Sequence, residues 1–262
     1  MAVYTQLGAE TMAAIIERFD VGTLVSAKGI AEGVSNSNWL IETRRDGHDA
    51  RFILTMYELR IEIEDLPFFL GLLDHLAARA NGMGVAEWQR LAAACGADGL
   101  AAIDPGLAAL VGRELPLLAR QWPHDLPRSV IHADLFPDNV LMLGAQVTGL
   151  IDFYFACTDI TAYDVAVTHA AWCFGGDGRA FDPALSRALL AGYEAVRPLS
   201  PAERATLPIL ARGAAMRFLM TRAYDWMNTP ADAMVTRKDP LAFARRLEFY
   251  ADAANAGVFD AC

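Results

Sequence analysis

Asn139 and Asp152 bracket a segment whose pattern leaves the chain little choice of local fold. Asn139-Val-Leu-Met-Leu143 is a short apolar run, Gly144-Ala-Gln146 is turn-like, and Val147-Thr-Gly-Leu-Ile151 is a second apolar run. Two such runs joined by a few Gly-containing residues predict a β-hairpin. A hairpin folds its ends back beside each other, so Asn139 at the entrance and Asp152 at the exit bring two oxygen donors to one place. Asp134 stands just upstream, in His132-Ala-Asp-Leu-Phe-Pro-Asp-Asn139. A hard cation such as Mg²⁺ takes one or two carboxylates together with phosphate oxygens, and Asn139 and Asp152 are the candidate ligands. An Asp and an Asn five positions apart can also cap a plain turn. Both spacings holding around a hairpin pattern is what favours a chemical role. His132 reads as a residue that bonds the loop backbone. No further His or Cys falls at ligand spacing for a Zn site with His132 and Asp134.

At 262 residues the chain has room for one large domain or two lobes, and 54% hydrophobic residues supply an ample core. The net charge of −10 argues against nucleic acid or an anionic membrane surface as a partner. An anionic nucleotide would therefore be met by local positive charge. Lysine is scarce, only Lys28 and Lys238 against 20 arginines, which limits the residues that can hold phosphate. Cys95, Cys157, Cys173 and Cys262 are irregularly spaced and read as free thiols. The first residues carry no basic or strongly apolar leader, and no long uncharged apolar run suggests a membrane span, so a cytoplasmic location is expected.

Along the chain, a short helix is predicted over 11–19, then strands over 24–28, 38–43 and 52–57. The third, Phe52-Ile-Leu-Thr-Met-Tyr57, is continuous enough in apolar residues for a strand buried on both faces. Between the first two lies Gly29-Ile-Ala-Glu-Gly33-Val-Ser-Asn-Ser-Asn38, either an ordinary connection or a loop whose backbone N–H groups approach phosphates. Lys28, Gly33, Ser35, Asn36, Ser37 and Asn38 are the candidate nucleotide-binding positions. Helices are predicted over 67–79, 85–95, 106–121, 161–174, 201–227 and 241–254, with a turn at 81–84. Ser200, Pro201 and Glu203 form a capping box, and Pro208 is expected to kink or split the helix that follows. Asp164, near a helix start, favours the helix dipole. Tyr154, Phe155 and Trp172 read as core aromatics. Tyr224, Asp225 and Trp226 either pack or close a substrate side.

The set His132, Asp134, Asn139 and Asp152 resembles that of protein-kinase-like phosphotransferases. There one Asp accepts the substrate hydroxyl proton, and an Asn and a second Asp hold Mg²⁺. The H-x-D-x-x-x-x-N and Ile-Asp-Phe forms resemble the aminoglycoside- and choline-kinase-like branch. The resemblance to bacterial homoserine kinases of that branch covers almost the whole chain. It rests on Met1-Ala-Val-Tyr-Thr5, Gly29 to Gly33 with Asn36-Ser-Asn38, and Asp65-Leu-Pro-Phe-Phe-Leu-Gly71. It continues in Gly149-Leu-Ile-Asp-Phe-Tyr-Phe-Ala-Cys157, Tyr163-Asp-Val-Ala166, Val196-Arg-Pro-Leu-Ser-Pro201 and Tyr224-Asp-Trp226.

This resemblance implies an α+β, two-lobed protein-kinase-like fold. A small antiparallel-sheet N-lobe would span 1–80, and a larger helical C-lobe 81–262, with ATP and Mg²⁺ in the cleft between. It implies transfer of the ATP γ-phosphate to the side-chain hydroxyl of L-homoserine, a step toward threonine. Asp134 would be the base, Asn139 and Asp152 the Mg²⁺ ligands, and His132 and Asp164 supports of the catalytic loop. Kinases pair a third-strand Lys with a helix Glu. Here that strand has no Lys, and Lys28 or Arg60 with Glu62 or Glu64 are the substitutes in view. The chain departs from the family once more. Two strands and an adenine-binding hinge should follow Arg79, yet Ala80 runs straight into Asn81-Gly-Met-Gly84. Either a stretch of the natural protein is missing here or the adenine platform is lost. Two other readings stay open: a related kinase with an aminoglycoside or choline-like acceptor, and a pseudokinase.

Overall fold

The computed structural model describes residues 7–30, 36–57, 79–230 and 236–260. It divides into two compact units, Met1–Leu66 with Thr229–Arg237, and Pro67–Asn228 with Lys238–Cys262. The predicted helix over 67–79, with Arg60, Glu62 and Glu64, lies outside the described residues apart from Arg79.

In the first unit, α1 (Ala9–Ile16) precedes three antiparallel strands, β1 (Thr23–Ile30), β2 (Asn36–Arg45) and β3 (His48–Tyr57), in the order β1-β2-β3. Asp46 and Gly47, both at positive φ (51° and 79°), make the two-residue turn from β2 to β3. That twist matches a hairpin, and glycine takes it without strain. Trp39, Ile41 and Thr43 alternate inward along β2 and are buried. They meet Met12 and Ile16 of α1, and the Thr43 hydroxyl donates to the Val21 carbonyl at 2.6 Å. β3 is not buried on both faces as its composition suggested. Phe52 is exposed, because this small sheet carries packing on one side.

In the second unit, α2 (Val85–Ile103) bends at Gly96, whose φ is 66°. α3 (Leu107–Gln121) leads to β4 (Arg128–Ile131). Then come the hairpin β5 (Val140–Leu143) and β6 (Gln146–Leu150), and β7 (Cys157–Ile160). The helices α4 (Thr161–Trp172), α5 (Pro183–Val196), α6 (Pro201–Asn228) and α7 (Leu241–Ala251) follow. α6 is the axis of this unit. Leu207, Leu210, Ala211, Ala214, Ala215 and Leu219 are fully buried on it, and the stretch from Gly213 to Met220 is buried without a break. Gly213 lets Trp122 and Trp88 press against its backbone, and those two indoles meet edge to face at 5.0 Å. Ser200 and Glu203 exchange the two bonds of the capping box. Pro208 does not split the helix, which runs unbroken through it with Leu207 and Leu210 fixed in the core on either side.

Two hairpins are nested here. β4 pairs with β7 from Arg128↔Ile160 to Ile131↔Cys157, and inside that pair β5 runs against β6 from Val140↔Leu150. Residues 132–139 and 151–156 are the two junctions between the outer and inner pairs, so they must lie side by side. Every motif residue quoted above for the catalytic segment falls in one of these two junctions.

Candidate active site

Ile151 N–H donates to the Asn139 carbonyl at 3.0 Å, and the His132 ring reaches the Ile151 carbonyl at 3.0 Å. The other His132 nitrogen, Nδ1, accepts from the Asp134 N–H at 3.3 Å. An acceptor at Nδ1 requires the donor at Nε2, so the neutral ring with its proton on Nε2 fits both bonds. Both nitrogens are occupied by backbone, which leaves His132 no free site for proton transfer.

Asp164, in the first turn of α4, accepts from His132 N–H at 2.8 Å and from Ala133 N–H at 2.7 Å. Ala133 is fully buried at φ 60°, and its carbonyl accepts from Arg217 of α6. A non-glycine residue held in that region stores strain and needs support from its surroundings. Here the support comes from a carboxylate on one side of the peptide and a guanidinium on the other. Asp134, the next residue, inherits its direction from this clamp. The Trp172 indole N–H, donating to the Leu135 carbonyl at 2.9 Å, ties the loop to α4 as well.

Asn139 donates through Nδ2 to the Asp134 carbonyl at 2.7 Å and to its carboxylate at 3.3 Å. That fixes the amide so that Oδ1 remains as its acceptor. Asp152 sits at φ 62°, a second strained residue in the same place. Burial raises the Asp134 carboxyl above the ordinary range, and the charge of Asp152 adds to it, while Arg217 and Lys238 oppose. Burial also raises Asp152, although part of its side chain meets solvent, against a hydrogen bond from the Tyr154 backbone. A carboxylate of raised pKa is the better proton acceptor. Among the described residues no three His, Cys, Asp or Glu side chains gather as a metal cage. The oxygens of Asn139 and Asp152 suit a hard cation that takes its other ligands from phosphate and water.

The proposed nucleotide positions divide. Lys28 lies on β1 opposite Leu40. Asn36, Ser37 and Asn38 belong to the β2 ladder, opposite Tyr57, Met56 and Thr55, and not to a loop. Gly33 and Ser35 lie outside the described residues. Residues 79–83 follow β7: Thr158 N–H donates to the Arg79 carbonyl at 2.7 Å, and the Asn81 amide to Asp159 at 2.7 Å.

Sequence reading missed three cations at the loop. Arg217, a lone charge inside the buried run Ala214 to Met220, clamps Ala133. Lys238 pairs with Asp138 at 3.4 Å and lies 5.9 Å from the Phe136 ring. Arg222 lies one turn beyond Phe218. An arginine inside the apolar stretch Ala214 to Met220 was the one available signal.

Residues 81–199 match the family model described as the phosphotransferase enzyme family. Choline kinase from Cryptosporidium parvum shares the fold, with a TM-score of 0.65 at 10% identity over 96% of this chain and 98% of that one. A choline/ethanolamine kinase family protein from Mesorhizobium loti gives 0.54 at 13% identity over 96% and 98%. The homoserine kinase of Gluconobacter oxydans is 43% identical, over 97% of this chain and all of the relative. That of Gluconacetobacter diazotrophicus is 45% identical over 97% and 98%. The chain belongs to the homoserine kinase family. Its fold is the α+β kinase-like fold of the solved neighbours. The alignment to the Gluconobacter homoserine kinase runs over 321 positions, more than the 262 residues here. Stretches of that homoserine kinase therefore have no counterpart in this chain.

Proposed function

We propose that this chain is a Mg²⁺-dependent kinase that moves the γ-phosphoryl group of ATP to the side-chain hydroxyl of L-homoserine. The observation that carries the reading is the convergence of Asp134, Asn139 and Asp152 at the junctions of the nested hairpins, in a chain whose full-length relatives carry that name. Asp134 accepts the hydroxyl proton as the oxygen attacks phosphorus. Asn139 and Asp152 hold the cation, which would offset phosphate charge when bound. Asp164, Arg217 and His132 contribute direction: they fix the backbone on either side of Asp134, and a loose transition state depends on positioning above all. The product is the phosphate ester of homoserine, a step toward threonine. The setting proposed is the cytoplasm, and no described helix is long and apolar enough to cross a membrane.

The test is ATP consumption coupled to L-homoserine, with and without Mg²⁺, beside an aminoglycoside and choline as competing acceptors. Turnover with homoserine that vanishes on chelation supports the reading. Turnover with another acceptor alone would replace the substrate. Saturable ATP binding by folded protein without turnover would favour the pseudokinase, which the stretches of the relative without a counterpart here make worth testing.

A further inference from the structure

Three phenylalanines join the catalytic loop to the last two helices. Phe136, two residues beyond Asp134, lies 4.8 Å from Phe218 of α6 and 6.0 Å from Phe243 of α7, and the latter two rings are 5.1 Å apart. Lys238 and Arg222 are two of the cations on this cluster, beside Arg217 on Phe218 and Arg246 on Phe243. Lys238 stands 5.9 Å from Phe136, and the Arg222 guanidinium stands 4.5 Å from Phe243. The chain's own charges thus cover the ring faces that a quaternary ammonium acceptor would need.

The two cations are not equivalent. Lys238 has a carboxylate partner in Asp138, and its charge acts on both Asp134 and Asp152. Among the described residues Arg222 makes one hydrogen bond, to the Asp239 carbonyl at a long 3.3 Å. A guanidinium has five N–H donors. Among the described residues no carboxylate lies within 4.0 Å of it, whereas Arg197, Arg204 and Arg212 each have one. Arg246, on the same Phe243 ring, is already bonded to two carbonyls, at 2.7 and 3.0 Å. Arg222 is half-buried, and burial together with Arg246 pushes its pKa down to about 10. A guanidinium removed from water without a counter-ion is costly unless an anion arrives. The carboxylates Asp239, Asp134 and Asp138 act on it through their charge. Its guanidinium stands 4.5 Å from the Phe243 ring, which lies 6.0 Å from that of Phe136, two residues beyond Asp134, so it belongs to the ring cluster that meets the catalytic loop.

We propose that Arg222 binds the carboxylate of the acceptor amino acid through its unused N–H donors, an inference that rests on homoserine being the substrate. Homoserine carries its carboxylate on the same short carbon chain as the hydroxyl. Seating one against Arg222 presents the other to Asp134. A planar fork matches a carboxylate with two parallel bonds, which a lysine cannot do.

The experiment compares L-homoserine with 3-aminopropan-1-ol, the same alcohol without the carboxylate, in the unaltered protein and in Arg222→Gln. For Arg222→Gln, kcat/KM on homoserine should fall roughly 10- to 100-fold, mostly through KM, as expected for a lost charge-assisted pair. On 3-aminopropan-1-ol it should stay within about 3-fold. An equal fall on both acceptors in a folded variant, or no fall on either, overturns the assignment while leaving homoserine kinase activity intact. If the unaltered protein phosphorylates neither compound, the substrate reading itself fails. Should Arg222→Gln not fold, Arg222→Lys keeps the charge without the fork and reads the same ratio. L-2-aminobutyrate, which has the carboxylate but no hydroxyl, should inhibit the unaltered protein competitively and lose that effect in the same variant.

Discussion

Asp164→Asn tests whether the clamp on Ala133 is what aims Asp134. Asp164 gives one oxygen to His132 N–H (2.8 Å) and the other to Ala133 N–H (2.7 Å). Asparagine keeps one acceptor and turns an NH₂ group toward the second N–H. One charge-assisted bond is lost, the other is weakened, and a buried backbone N–H is left without a partner, a cost of about 2–3 kcal/mol. For a chain of this length that is a fall in Tm of roughly 5–10 °C. The catalytic effect should exceed the global one. Ala133 sits at φ 60°, a conformation costing of order 1–3 kcal/mol, and Arg217 alone would then hold it. As the peptide relaxes, Asp134 moves with it, and a displacement near 1 Å costs on the order of 100-fold in rate. The expected result is kcat lowered by about two orders of magnitude with KM for ATP almost unchanged, read beside thermal melts. A folded variant with unaltered kcat would refute the clamp.

Three further perturbations probe separate links. Asp134→Asn should lower kcat by roughly 10²–10⁴-fold while ATP binding, read by titration calorimetry, persists; full activity would remove Asp134 as the base. His169 is buried between Tyr250 (2.6 Å) and Ser186 (2.8 Å), and burial lowers its pKa from 6.5 to about 4. The unfolded chain therefore takes up this proton first, so the stability due to neutral His169 is complete above about pH 6.5 and is lost as pH falls toward 4, by roughly 3 kcal/mol. Urea midpoints across that window should drop more steeply for the unaltered protein than for His169→Gln, and parallel curves would count against it. Gly213→Ala would place a methyl 2.1 Å from the Trp122 ring and 3.0 Å from Trp88. The gain in helix propensity is about 1 kcal/mol at most, and overpacking costs about 1–3, so urea denaturation should show a net loss.

What could be read in the sequence was local. The inner hairpin, the Asp134–Asn139 spacing and the Ser200–Glu203 box are each written within a few residues, and each has its counterpart in the fold. Asp182 and Pro183 also announced α5 locally, as N-cap and first-turn proline, and were passed over. The outer pair β4–β7 was not legible. Each strand has four residues, too few for an alternating pattern, and the partners are joined only after the inner hairpin closes. Sequence reading placed Asp134 and Asp152 in neighbouring segments but could not say what steadies them. That role falls to Arg217, 84 positions from the carbonyl it holds. A buried arginine inside the apolar stretch Ala214 to Met220 is a poor local choice, and its reason lies at the other end of its side chain. Conflicts of this kind between a residue and its immediate setting mark long-range function. By that criterion Arg217 and Arg222, on one helix, are the two residues most worth perturbing together. One bonds the Ala133 carbonyl of the loop, and the other has no carboxylate within 4.0 Å among the described residues.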